Sequence, residues 1–583
     1  MKKFTKRMVS LTVISVLLMT TITACGGSAD NNASKDNASN NSTNVTETNK
    51  GNETTFTDIS ADIRGNANPS AEQIEQVNST LNDTYLGDIF DTVIPSDYSN
   101  YPYKGDVTLD VWLPANSDIP DQNAHGVQKM VEKMTGIKVN FITPPLGQEA
   151  DSFTLMISSG DLPDIIIDPG RYPGGLEAGV NDGAYLDLTD LMEKNAPNYT
   201  AWRNSDDMRR KTTVTDSGRL LGFHGIAPYS EWMWFGLLIK QEALDKTGME
   251  VPNTIDEWYA FLKKCQEVGY KHPLNYGSNY GQIFTGILNG AYGVWDWTFL
   301  DENGKVQWGP AQPKAKEYLA TMQKWNKEGL LNPDWATADF NQRMASAVSS
   351  DTAVMMDSPD TMWSYWKTQN NIDFVGALNP ILNPGDQSAT TYKNFMRVGT
   401  SAAITTQAKD VEAAMAWLDF AFSKKGWEVY NYGEYGTVHL IDGNGKPYFP
   451  EDGYMYNDPD GQPISVALNK YRRHSWPNIR DEHNSNPNIV ARGSYSGDIR
   501  QFWTEKMDSS PAIPPITFTQ EEASREAELG NQLSTLRGEY FAKIIKGELS
   551  VDSYDKFLTE AKKMGLDEFL SLHQAALDRY NNR

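Results

Sequence analysis

Apolar and polar positions recur along this chain with periods that change in a readable order. Behind the cationic start Lys2-Lys3-Phe4-Thr5-Lys6-Arg7, residues 8 to 19 carry no charge, and the run closes on Ile22-Thr23-Ala24-Cys25. Charged start, short apolar run and small residues at its end are the layout of a secretory signal. The run is shorter than the roughly 20 apolar residues a spanning helix needs. Residues 26 to about 55 are Asn, Ser, Thr and Gly with almost nothing apolar. Such a stretch cannot offset its ordering entropy by burial and reads as a solvated tether. Ser70-Ala71-Glu72-Gln73 reads as a capping box opening a short helix. Strand-like Val107 to Leu113, a helical stretch from Asp121 to Met134 stopped at Gly136, and strand-like Ile137 to Ile142 form a βαβ unit. A helix over Glu149 to Ser158 then leads through Gly160-Asp161-Leu162-Pro163 into Asp164-Ile165-Ile166-Ile167-Asp168. That apolar run bounded by turn residues suits a strand buried on both faces, so an α/β domain with a parallel sheet is expected.

At 583 residues the chain is too long for one core, and two or more lobes are expected. The net charge of −24 becomes more negative without the first 24 residues, which hold four cations and no acid. Such acidity repels nucleic acid and anionic lipid, so DNA binding is excluded as a function class. Ile22-Thr23-Ala24-Cys25 resembles the bacterial lipobox, which implies cleavage before Cys25 and its lipid modification. Two acyl chains there would anchor stably where one is marginal. The second cysteine, Cys265, then has no partner; it lies in the helical run Thr254 to Val268 and reads as a small buried residue.

Ser158-Ser159-Gly160-Asp161-Leu162-Pro163-Asp164-Ile165 resembles a signature of the family 1 extracellular solute-binding proteins, the receptors of carbohydrate ABC importers. Further landmarks fall in that family's order: Asp182-Gly183-Ala184-Tyr185-Leu186, Gly218-Arg219-Leu220-Leu221-Gly222, and Leu244-Asp245-Lys246-Thr247-Gly248 before Pro252-Asn253-Thr254 and Trp258. Ala353-Val354-Met355-Met356, Ala413-Ala414-Met415-Ala416-Trp417-Leu418 and Gly433-Glu434-Tyr435-Gly436 continue the series, and the tail resembles the large lipoprotein branch. The resemblance implies a two-lobed periplasmic-binding-protein-like fold of type II. Each lobe would be α/β with a mostly parallel sheet flanked by helices, followed by extra C-terminal helices. The expected division is signal 1–24, lipidated cysteine and tether 25–60, lead-in 61–103, lobe 1 from 104–234 and 397–440, and lobe 2 from 235–396 and 441–583. Crossings are expected near Trp232 to Ile239 and near Phe395 to Ile404.

The implied function is capture of an oligosaccharide between the lobes and its delivery to the permease subunits of an ABC transporter. The receptor would be held extracytoplasmically on the cell membrane by its lipid alone, with no catalysis, no metal and no cofactor. A sugar offers hydroxyls and flat C–H faces, which need paired hydrogen-bonding groups and aromatic rings. Trp232 and Trp234 alternate, Trp363 and Trp366 stand three apart on an expected helix, and Trp295 and Trp297 form a third pair. The resemblance favours Trp363 as a sugar platform, Glu231 at the crossing as a carboxylate for hydroxyls, and Tyr435 near the cleft. Asp168 and Arg171 end the third strand, where open α/β sheets bind ligands. Arg397 on the return strand, and Arg472, Arg473 and Trp476 in the second lobe, complete the candidates. Asp301-Glu302-Asn303-Gly304 and Asp442-Gly443-Asn444-Gly445 lack the closing Glu of a calcium loop and read as hairpin turns. Alginate-binding relatives carry a calcium loop after the Trp258-type helix, yet Lys263 to Tyr270 has no acidic cluster. A secreted glycoside hydrolase would share the signal and the aromatics but needs a carboxylate pair about 5 to 9 Å apart. A peptide receptor on the same scaffold is the other alternative.

Overall fold

The structure, a computed structural model, describes residues 101–583 except 229–231, 277–286, 394, 396, 442–446, 463, 474–475, 482–484 and 486–495. By contact the chain divides into Met1–Thr55 and Phe56–Arg583, and all the described residues belong to the second unit. The signal, Cys25, the tether and the Ser70 capping box lie outside the described residues.

With Leu109 and Val111 buried, β1 (Thr108–Trp112) is an inner strand of a five-stranded sheet. With it go β2 (Lys138–Ile142), β3 (Ile165–Ile167) and β4 (Phe223–Ile226). The second sheet holds β5 (Gly236–Lys240) and β6 (Leu274–Asn275). After the separate hairpin of β7 (Thr298–Leu300) and β8 (Val306–Trp308), it gains β9 (Val354–Asp357) and β10 (Phe374–Ala377). β11 (Arg397–Ile404) returns to the first sheet, giving the orders β2-β1-β3-β11-β4 and β10-β5-β9-β6. β12 (Leu440–Ile441) and β13 (Pro447–Tyr448) pair separately. Both Asn-Gly segments thus connect paired strands, although 442–446 lie outside the described residues.

Direction is the informative feature. β1 is parallel to β2 and β3, and β11 is antiparallel to β3 and β4, so β11 alone runs backwards in the first sheet. β6 is parallel to β9, and β5 is antiparallel to β9 and β10, so β5 alone runs backwards in the second. Each reversed strand is the one entered from the other lobe. A chain leaving one sheet at its carboxyl edge enters the next sheet from the edge facing it. The carboxyl edges of the two sheets therefore meet at the crossings.

The Ser159-Gly160-Asp161-Leu162-Pro163-Asp164 signature has a local structural cause. Gly160 takes φ 70°, a left-handed conformation that glycine adopts without strain, and ends the helix Glu149–Ser159. Asp164 is 2% exposed; its carboxylate accepts the Asp110 N–H at 2.7 Å and the Lys409 N–H at 2.7 Å. It ties β1 to the turn after β11 at the edge away from the crossings.

The expected boundary at residue 440 shifts. Ile441, Phe449, Met455, Ala467, Leu468 and Ile479 pack in the first core with Leu109 and Trp417, so the stretch to Ile479 belongs with lobe 1. A third passage follows, because the Asp481 N–H is held by Asn431 while the helix Ser496–Lys506 packs Ile499 and Trp503 on the second lobe. Three C-terminal helices, Gln520–Lys546, Ser553–Met564 and Leu566–Asn581, close the second core with Leu529, Leu533, Phe557 and Phe569. Their end reaches back to lobe 1, where Asp216 pairs with Arg579 at 2.7 Å and Arg583 at 2.6 Å. Cys265 is fully buried, and burial pushes its thiol up to about 12, as a packing role requires.

Replacing Asp164 with Ala leaves two N–H groups without an acceptor. It is expected to cost about 2–4 kcal/mol, read as a lower urea midpoint at unchanged slope. A change below about 0.5 kcal/mol would mean that the signature acts elsewhere.

Candidate functional site

The crossings gather side chains from both lobes. On the first lobe β3 is followed by Asp168, whose φ of 63° and following Pro169 turn the chain sharply off the sheet. Asp accepts this left-handed conformation more readily than most residues. Arg171 closes the turn with Nε 2.8 Å from Asp168 Oδ2, the two side chains being 36% and 35% exposed.

The first crossing, Trp232 to Phe235, is not itself a strand, yet the expected alternation survives. Met233 is buried while Trp232 and Trp234 are half-buried. Arg500, fully buried on the helix Ser496–Lys506, holds this segment. It donates Nε to the Met233 carbonyl at 3.0 Å and NH2 to the Trp232 carbonyl at 3.3 Å. Its Cζ sits 4.6 Å from the Trp234 ring centre, and Arg480 of lobe 1 stacks on the same ring at 5.6 Å. Arg500 NH1 also meets Asp360 at 3.1 Å.

Beyond β9, Ser358 caps the short helix Pro359–Met362, which widens into a π turn over Trp363–Thr368. This wider turn explains a correction. Trp363 and Trp366 were expected on one face, but the i→i+5 pattern breaks that register. Trp363 stays half-buried, whereas Trp366 is fully buried with its ring N–H on the Ala347 carbonyl at 2.9 Å.

A cavity of about 370 Å³ opens beside the ends of β6 and β9, lined by Tyr276, Trp295, Asp296, Tyr318, Trp335 and Arg537 among others. Asp296 pairs with Arg537, and Tyr276 and Tyr318 share a hydroxyl contact at 3.1 Å. Burial pushes the Asp296 carboxyl up to about 6, against the opposing pull of Arg537. Trp297 points elsewhere: its ring lies 5.5 Å from Phe569 and 6.4 Å from Trp308, under the C-terminal helices. Lobe 1 carries a cavity of about 740 Å³ beyond the end of β1, lined by Asp118, Asp121, Glu434, Tyr454, Asp460 and Lys470 among others.

Arg472 and Trp476, expected in the second lobe, pack in lobe 1, where Tyr435 also sits. Arg472 is 1% exposed and donates to Ser485 Oγ at 2.9 Å. Trp476 lies edge-on to Phe141 and Trp417, with the buried Arg473 4.4 Å above its ring. Tyr435 stands edge-on to His439. These belong to lobe 1 because the chain stays there until Asp481. Arg397 opens β11 opposite Ile226, and Glu231 lies outside the described residues. Sequence reasoning did not find Tyr276, the Asp296–Arg537 pair or the Arg500–Asp360 pair. No spacing signal joins partners 241 and 140 residues apart.

The profile of the bacterial extracellular solute-binding proteins matches residues 121–426. The fructooligosaccharide ABC transporter substrate-binding protein FusA of Streptococcus pneumoniae serotype 4 is 20% identical over 79% of this chain and 88% of its own length. The polygalacturonan/rhamnogalacturonan-binding protein YtcQ of Bacillus subtilis is 19% identical over 77% of this chain and 87% of its own. The crystal structure of the alginate-binding protein AlgQ2 without calcium ion superposes with a TM-score of 0.66, covering 83% of this chain and 100% of that one at 20% identity. The shared fold is thus the two-lobed solute-binding architecture.

The Asp296 titration is directly testable. A carboxyl raised from 3.8 to about 6 in the fold costs stability as pH climbs through that window and costs nothing below it. Relative to Asp296→Asn, the wild type should lose up to about 3 kcal/mol between pH 4 and pH 7 in urea unfolding. Parallel pH curves for the two proteins would show that the carboxylate is well solvated.

Proposed function

The chain belongs to the bacterial extracellular solute-binding protein family, and we propose that it is a lipid-anchored receptor that captures an oligosaccharide between its lobes for an ABC importer. The observation that carries this reading is the cavity at the carboxyl edge of the second sheet. Trp295, Trp335, Tyr276 and Tyr318 surround the Asp296–Arg537 pair there. Rings cover the C–H faces of sugars, while a carboxylate beside a guanidinium presents acceptors and donors to adjacent hydroxyls. Trp363, Trp232, Asp168, Arg171 and Arg397 lie at or next to the same carboxyl edges and would meet the ligand from both lobes. Glu231 would add a carboxylate at the crossing.

Ligand gripped from both sides favours the closed arrangement by its differential affinity for that arrangement. Rotation about the crossings would then present a changed surface to the permease. Cys25 carries the lipid in this reading, and the polar residues after it, about 30 of them, give a tether spanning roughly 30 Å. Among the described residues no helix is long and apolar enough to cross a membrane, so an anchor outside them is what the reading requires.

Protein lacking residues 1–25, incubated with a panel of oligosaccharides, should bind at least one of them with a raised melting temperature and leave it intact. Shortened sugars would favour a hydrolase instead, and a response to peptides alone would favour a peptide receptor. Trp363→Ala should weaken sugar binding about tenfold or more, about 1.4 kcal/mol, with melting little changed. Comparable loss of folding would place that ring in the core.

A further inference from the structure

Proteins of this fold can take neutral or anionic glycans, and the charges at the strand ends discriminate between them. Four arginines near the carboxyl edges and one lysine of the lobe 1 cavity are each held by an aspartate. Arg171 pairs with Asp168 at 2.8 Å, Arg343 with Asp357 at 2.9 Å and Arg500 with Asp360 at 3.1 Å. Arg537 pairs with Asp296, and Lys470 sits between Asp458 at 2.8 Å and Asp460 at 2.6 Å. The candidates Arg472 and Arg473 are 1% and 3% exposed within lobe 1. The larger cavity has four acids in its lining, Asp118, Asp121, Glu434 and Asp460, against Lys470 as its lone lysine or arginine. His125 in that lining adds no charge. Burial holds its imidazole down to about 3, with Arg473 adding repulsion, while its ring caps the Val127 N–H and meets the Asn469 carbonyl.

We propose that the site selects neutral oligosaccharides and rejects uronic-acid-bearing ones, because Arg171, Arg343, Arg500 and Arg537 already hold carboxylates and the larger cavity beyond β1 is lined mainly by acids. This rests on the oligosaccharide-receptor reading above. A sugar carboxylate entering here would displace an aspartate from its arginine or sit beside the acids of the larger cavity. Like charges brought together at close range disfavour binding, whereas neutral hydroxyls can hydrogen-bond to paired groups without breaking them. The whole chain points the same way, with 76 acidic residues against 52 basic ones.

The test compares neutral oligosaccharides, oligogalacturonides and the methyl esters of those same oligogalacturonides by calorimetry, using protein lacking residues 1–25 at low salt. Neutral binding with the free acids at least about tenfold weaker than the best neutral ligand is the expected result. Tighter binding of the free acid than of its ester overturns the proposal. No response to any glycan overturns the receptor reading itself and this inference with it, so the two failures are distinguishable. Asp168→Asn keeps a residue tolerant of the left-handed turn while freeing Arg171, and Asp460→Asn removes one acid from the larger cavity. Each should raise the ratio of acid to neutral affinity at least about fivefold. A ratio unmoved by both substitutions also counts against the proposal.

Discussion

The reversal of one strand in each sheet is the constraint on which the rest of this molecule depends. β11 and β5 run against their neighbours because each is reached across the gap between lobes. That one topological fact aligns the carboxyl ends of the remaining strands along the same gap. The turn after β3 at Asp168 and the helix after β9 capped by Ser358 begin there. A ligand site at this edge is a consequence of topology before any side chain is chosen.

The side chains then divide the work. Arg500 pins the first crossing to the second lobe through two backbone carbonyls, Asp360 and the Trp234 ring, while Arg480 approaches that ring from the first lobe. Asp216, bound by Arg579 and Arg583, makes another tie between lobes at the chain's end. Both are polar contacts, which can be remade at modest cost when lobes rotate, unlike a packed apolar interface. The apolar packing is instead concentrated within each lobe, around Leu109, Val111 and Ile165 in one and Leu237, Trp258 and Val354 in the other.

Local signals in the chain were legible where the cause is local. Gly136 and Gly160 stop their helices in left-handed conformations, Thr254 caps the helix that buries Cys265, and the Asn-Gly turn at 303–304 closes a hairpin. The Trp363–Trp366 pair was misread because a π turn leaves no mark in hydrophobic spacing. Arg472 and Trp476 were assigned to the wrong lobe for another reason. They lie in the stretch before Asp481 that packs with the first core, and no local pattern marks that long-range packing.

The first three strands and the helices between them, the acidic charge, the alternation around Met233 and the landmarks of a two-lobed receptor could be read from the chain, since each depends on neighbouring residues. Only tertiary structure decided which aromatic rings face a cavity and which fill a core, as with Trp295 against Trp366 and Trp297. It alone paired Arg537 with Asp296 and Arg500 with Asp360. Contacts between residues more than a hundred positions apart are set by how whole lobes pack, and no short-range pattern encodes that.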